Sequence, residues 1–305
     1  MRAFGFTEAG GPERQAFLDV PVPVPGPDEV LVRVRAAGVN PGDCKMRNGD
    51  YGVAGPAVLG REVAGTVTAL GPGVTAYAVG DEVFGGCPGM VGGFAEQALV
   101  MASFSARRPT AVTPEAAAAL PVAAGTAHDA VRQLDLPAGA TVLVNGAGGG
   151  VGIAAVQLAR AAGLTVVGVA SPAKHDLVRR FGGMPVAYGD GVLERVRAAA
   201  PGGVDGAFDL AGGAALRAIA GLVADRRRLL SVADRSLVVE LGGAVVERDR
   251  STAVLTELAR LVEAGELDSH VTRVRPLEEA AKAVADVESG HAEGKVVLVM
   301  PAGQT

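Results

Sequence analysis

The sequence has no tryptophan and only two cysteines, Cys44 and Cys87, among 305 residues. Neither cysteine belongs to a C-x-x-C pair or a Cys/His cluster. The sequence therefore predicts no disulfide framework and no zinc site, and this cysteine usage fits a reduced, cytoplasmic compartment. Long hydrophobic runs are missing as well. The longest helical candidates carry Arg or Gln, and the N-terminus, M-R-A-F-G-F, has no apolar h-region, so neither a membrane span nor a signal peptide is expected. Basic residues are sparse and scattered apart from runs such as Arg226-Arg227-Arg228, and with a net charge of −5 there is no basic stripe for nucleic acid.

What is present argues for a folded chain of more than one domain. The sequence is 49% hydrophobic and 20% charged, which excludes disorder, and its 44 glycines imply many turns and close backbone approaches. The first third reads as short strands between Gly/Pro turns. P-V-P-V-P-G-P (21–27) suits extended chain. Glu29 to Arg35 alternates strictly, and further strands are expected at Val63 to Leu70, Glu82 to Phe84 and Ala95 to Met101. That pattern suggests a β-barrel-like fold. After about Pro109 to Thr113 the texture becomes strand-helix alternation, from Ala140 to Val232, as in parallel βαβ units of a doubly wound sheet. A helix from about Thr252, another over Leu277 to Glu288 and a strand at Lys295 to Met300 close the chain.

The most informative stretch is T-V-L-V-N-G-A-G-G-G-V-G-I-A-A-V-Q-L-A (141–159). A β-branched run ends in glycines and a helix starts at once, the setting of a dinucleotide-binding turn. The pattern fits as A-x-G-x-x-G, with Ala147, Gly149 and Gly152. The backbone of Gly149, Gly150, Val151 and Gly152 is the expected phosphate cradle, aided by the helix dipole. An NAD site usually has Asp or Glu at the end of the second strand. Here T-V-V-G-V-A ends in Ser171, followed by P-A-K. A hydroxyl and the Lys174 ammonium suit a 2′-phosphate, which predicts NADPH; Ser171 also reads as an N-cap before Pro172.

With these motifs, the chain resembles the medium-chain dehydrogenase/reductase superfamily, and most of all its zinc-free quinone oxidoreductase branch. The resemblance runs through G-V-N-P-G-D (38–43), L-G-R-E-V-A-G-T-V (59–67), V-G-D-E-V-F-G (79–85), G-G-F-A-E (92–96), L-P-V-A-A-G-T-A (120–127), V-D-G-A-F-D-L-A-G-G (204–213) and G-H-A-E-G-K-V-V-L (290–298). It implies a GroES-like β-barrel domain over residues 1–112, completed by 251–305, and a Rossmann domain over 113–250, with NADPH in the cleft between them. It further implies a homodimer formed through the sheet edge at Leu229 to Val246.

Zinc alcohol dehydrogenases of this superfamily carry Cys where this chain has Asn40, and His where it has Arg61. The departure implies no catalytic zinc, and hence reduction of an already electrophilic acceptor, a quinone or an α,β-unsaturated carbonyl. An enoyl-thioester reductase and a non-catalytic NADPH-binding redox sensor are the alternatives. The candidate donor to the nicotinamide or the acceptor oxygen is Asn40, which also reads as a turn residue before Pro41. Asp43 reads as a turn or cap acceptor, Tyr51 as a possible cleft hydroxyl, and Cys44 as a buried thiol. Arg61 is expected to snorkel towards solvent and Glu62 to support the cleft floor. The resemblance also implies cofactor contacts at Thr126, Tyr188, Ser231, Val232 and Lys295, while His128 reads as core.

Overall fold

The computed structural model describes residues 1–290 and 292–301; His291, inside the G-H-A-E-G-K motif, lies outside the described residues. Contacts divide the chain into two units. One comprises Met1–Val122, Arg250–Gly265 and the chain from Ser269 onward; the other comprises Ala123–Asp249 with Glu266–Asp268. Among the described residues no helix is long and apolar enough to cross a membrane.

The first unit is built around the strand Glu29–Val39. The alternation expected there is realised only in part: Val32 and Val34 are buried and Arg33 and Arg35 exposed, but Val30 and Leu31 are buried in succession. This strand pairs antiparallel with Glu62–Leu70, Gln97–Met101 and Lys295–Val299, so a strand from the C-terminal region completes the N-terminal sheet. Phe4, Phe6, Val63, Phe94 and Leu298 share the resulting core. Two strands that the sequence pattern did not reveal, Arg2–Phe6 and Gln15–Asp19, form a separate three-stranded sheet with Ala57–Val58, in which Arg2–Phe6 is central and pairs antiparallel with both others. The N-P-G-D turn proves to be the start of a helix, Pro41–Asn48. Pro41 occupies its first turn, the Asp43 carboxylate accepts the Asn40 N–H at 2.8 Å, and Gly49 closes it at φ 90.

The second unit is a doubly wound sheet of six strands, all parallel. Their order is Met184–Ala187, Thr165–Ala170, Thr141–Asn145, Gly206–Asp209, Leu229–Ser231, Ala244–Val245. The β-branched runs T-V-L-V-N and T-V-V-G-V-A are buried almost throughout, as a sheet covered on both faces requires. Strand order reverses between Thr141–Asn145 and Gly206–Asp209, and in such sheets ligands bind beyond the carboxyl ends of the strands at that point. The helix Gly150–Ala161 starts there.

Candidate functional site

The glycine turn in the second unit shows why each small residue stands where it does. Gly146 has φ +91, which L side chains rarely adopt. A Cβ on Gly152 would lie 2.3 Å from Gly146 O and 2.6 Å from Ala147 Cα, so only glycine allows the helix to pack onto the turn. Gly149 differs: its backbone is extended (φ −93, ψ 172), and an added Cβ would meet nothing nearer than Gly146 O at 3.8 Å. Packing within the protein does not require a glycine there, whereas a ligand brought against the backbone does. The first bond of the helix is Ile153 N–H to Gly149 O at 2.9 Å, so the amides of Gly150, Val151 and Gly152 have no acceptor within the helix. Free amides at the positive end of a helix, with a side-chain-free surface beside them, fit a pyrophosphate.

Ser171 and Lys174 meet this turn. A Cβ on Gly148 would lie 2.5 Å from Lys174 Cδ, so the lysine stem crosses directly over the glycines. Ser171 precedes Pro172 at the start of a 3₁₀ turn, and its hydroxyl makes no capping bond. Ser171 therefore holds the N-cap position with Pro172 after it, as the sequence suggests, but it caps through its carbonyl, which accepts the Lys174 N–H at 2.9 Å, and not through its hydroxyl. Tyr188, 64% exposed, follows the neighbouring strand, whose Ala187 pairs with Ala170. The first acid after Ser171, Asp176, has a fully solvated side chain and pairs with Arg179.

A buried polar group that the sequence reading did not single out ties the strand ends together. Asp209, fully buried, accepts hydrogen bonds from Asn145 Nδ2 (2.7 Å), Ala211 N–H (3.2 Å), Gly212 N–H (3.0 Å) and Ser231 Oγ (2.8 Å). The Ser231 hydroxyl proton is thereby engaged inside the sheet, which removes it as a donor to cofactor. Val232 donates its N–H to Asp209 O at 3.3 Å. Thr126 is buried near the start of the helix Gly125–Leu134 and accepts from Arg248 Nη1 at 2.7 Å. Arg248 Nε also pairs with Asp129 at 2.8 Å, and His128 Nδ1 lies 3.1 Å from the other Asp129 oxygen, so His128 belongs to a polar cluster and not to the apolar core expected of it.

In the first unit, Asn40, Glu62 and Lys295 form one buried network. Lys295 Nζ donates to Asn40 Oδ1 (2.7 Å), Glu62 Oε1 (2.8 Å) and Val39 O (3.3 Å). Asn40 Nδ2 donates to Glu62 Oε1 (2.8 Å) and Gly38 O (3.2 Å), and Glu62 Oε2 accepts from Val122 N–H at 2.7 Å. Val122 sits in the π-helical turn Leu120–Ala124, where the helix ladder is loosened. Two expectations change. Asn40 has both amide hydrogens committed to the protein, so it is a positioning group and offers no donor to an acceptor. Lys295 has three internal acceptors for its three protons and none left for cofactor.

Arg61 does not snorkel. Its side chain is 12% exposed; Nη2 donates to Gly42 O at 2.7 Å and the guanidinium lies over the Tyr51 ring, 4.8 Å from its centroid. A Cβ on Gly42 would come within 2.5 Å of Arg61 Cζ, so the glycine makes room for the cation. Arg61 Nε and Asp43 Oδ1 stand 3.7 Å apart, and neither atom has a hydrogen-bond partner. Burial raises the Asp43 carboxyl from 3.8 to about 6, against the opposing pull of Arg61 and of the Asn40 N–H. A folded-state value above the unfolded one means that the native chain takes up a proton first, so this group's contribution to stability is present at low pH and is lost as pH rises towards 6. Between pH 7 and pH 5 the wild type should gain about 1–2 kcal/mol relative to Asp43→Asn. Urea unfolding of both proteins at the two pH values checks this; parallel profiles would refute it. Burial also pushes the Cys44 thiol up to about 12, leaving it an inert core group.

Among the described residues no three His, Cys, Asp or Glu side chains converge on a point where they could hold a metal ion. Residues 26–110 match the family described as the alcohol dehydrogenase GroES-like domain, and residues 185–298 that described as zinc-binding dehydrogenase. The chain is 32% identical to the quinone oxidoreductase of Rattus norvegicus over 98% of both proteins. It is 38% identical to the erythronolide synthase of Saccharopolyspora erythraea over 90% of its own length, yet that match spans only 8% of the synthase. Among solved structures, a mycobacterial protein complexed with NADPH superposes with a TM-score of 0.88 at 30% identity, over 98% of this chain and 100% of that one.

Proposed function

Because the chain belongs to the medium-chain dehydrogenase/reductase superfamily, in its quinone oxidoreductase branch, we propose that it is a zinc-independent reductase of quinones or α,β-unsaturated carbonyls that uses NADPH. The observation that carries the cofactor choice is the end of the strand Thr165–Ala170. It holds Ser171 with an uncommitted hydroxyl and Lys174 laid across Gly148, and no carboxylate to repel a 2′-phosphate. The amides of Gly150 to Gly152 would hold the pyrophosphate, with Tyr188 beside the adenosine end. When bound, the cofactor supplies hydride.

The acceptor class follows from residue chemistry in the other unit. At the positions where zinc relatives place metal ligands stand Asn40 and Arg61; a guanidinium is permanently cationic and ligates no metal. Without a Lewis acid there is no evident means of stabilising an alkoxide, so the substrate must already be electrophilic. The Lys295–Glu62 pair fixes Asn40 and with it the start of the helix Pro41–Asn48, whose Asp43 faces Arg61 from the neighbouring segment. Rigid placement of this kind is the protein's main contribution when the cofactor carries the chemistry.

The match to the polyketide synthase supports a second reading, reduction of an enoyl thioester. NADPH oxidation with a small quinone and, separately, with a crotonyl thioester distinguishes the two. A quinone kcat/KM at least about tenfold higher is the expected result, equivalent to ~1.4 kcal/mol of transition-state preference. A reversed preference makes the chain an enoyl reductase. Binding of NADPH with no turnover of either acceptor leaves the sensor reading.

A further inference from the structure

Arg195, on the helix Val192–Ala199, reaches back to the loop that follows the edge strand Met184–Ala187. Its guanidinium collects the carbonyls of four consecutive residues. Nε and Nη2 donate to Ala187 O (3.1 and 2.9 Å), Nη2 also to Tyr188 O (3.2 Å) and Gly189 O (3.3 Å), and Nη1 to Asp190 O (2.8 Å). The loop needs such a clamp. Gly189 and Gly191 are both left-handed, at φ +88 and +75, and a segment with two such glycines has many conformations open to it when untethered. What the clamp holds in place is Tyr188, whose side chain stands out from the surface, next to the strand end that carries Ser171.

We infer that Arg195 is a positioning residue for the 2′-phosphate end of the nucleotide, acting through the loop that presents Tyr188. The inference rests on the NADPH reading above and adds to it a residue that does not touch the ligand. Ser171 and Lys174 supply direct polar contacts on one strand end; Arg195 fixes the wall formed by the neighbouring one. Only a planar fork of five donors can hold four carbonyls at once, so an ammonium at this position keeps the charge and loses the clamp.

The test is calorimetric titration of the full chain with 2′,5′-ADP and with 5′-AMP, for wild type, Arg195→Lys and Arg195→Gln. The wild type should favour 2′,5′-ADP. Both variants should lose about tenfold in 2′,5′-ADP affinity, the scale of one charge-assisted hydrogen bond, and at most about threefold for 5′-AMP. Hydrogen exchange of the ligand-free proteins should quicken at residues 188–191 in both variants and stay unchanged in the rest of the sheet. Wild-type affinity in Arg195→Lys alone would make the effect one of charge and overturn the inference. So would unchanged affinity in both variants, or equal losses for the two ligands. A wild type without preference for 2′,5′-ADP would instead sink the NADPH reading, and the inference with it.

Discussion

Lys295→Met should lower the free energy of unfolding by about 3–5 kcal/mol, the largest effect expected of any single substitution in the first unit. Lys295 and Glu62 are 4% and 0% exposed and 2.8 Å apart. Removing the ammonium strands a carboxylate that water does not reach, and takes from Asn40 Oδ1 and Val39 O their donor. The second substitution makes the mechanism visible. In Lys295→Met/Glu62→Gln the buried charge is gone, while an amide oxygen still serves Val122 N–H. More than half of the lost stability should return. Urea unfolding of the three proteins measures this, and a loss below about 1 kcal/mol for the single variant would mean that the pair contributes no more than a surface ion pair.

Lys174→Ala should weaken NADPH binding by about 10–100-fold and change NADH binding by less than about threefold, since one charge-assisted bond to phosphate contributes roughly 1.5–3 kcal/mol. Only the 2′-phosphate distinguishes the two ligands, so a selective loss assigns the lysine to that group. The absence of tryptophan makes the measurement direct, because cofactor fluorescence rises against little intrinsic background. Equal losses for the two nucleotides would show that Lys174 serves only to cover Gly148, where its stem lies.

The parts of this site that were legible in sequence are the local ones. A β-branched strand, a glycine turn and a helix within 19 residues announce a phosphate cradle, because every requirement is met by near neighbours. Ser171 and Lys174 follow the next strand in the chain, and the structure brings the Lys174 stem against Gly148 of that turn. Asn40 and Lys295 are 255 residues apart, and nothing in either segment tells that the lysine saturates the asparagine's oxygen. Asn40 therefore looked like a free donor, and Lys295 like a free cation. Arg61 misled differently. A long cationic side chain beside a strand usually lies along the surface with its head in water. Here Gly42 leaves a space for the guanidinium, and Tyr51 supplies a ring beneath it. The helix Pro41–Asn48 is hidden in the sequence because it opens with Pro-Gly-Asp, a turn-like sequence that becomes a helix start once Asp43 caps the Asn40 amide. Asp209 was visible only as a letter in a strand; that it gathers Asn145 and Ser231 depends on strand order.

The proposed function is that of a reductase whose chemistry needs NADPH and no metal. Its most direct test is the rate of NADPH-linked quinone reduction before and after exhaustive dialysis against a strong chelator, with zinc measured on the same samples. The account predicts an unchanged rate and no stoichiometric zinc in either sample. Activity that disappears on chelation and returns with added Zn²⁺ would contradict it.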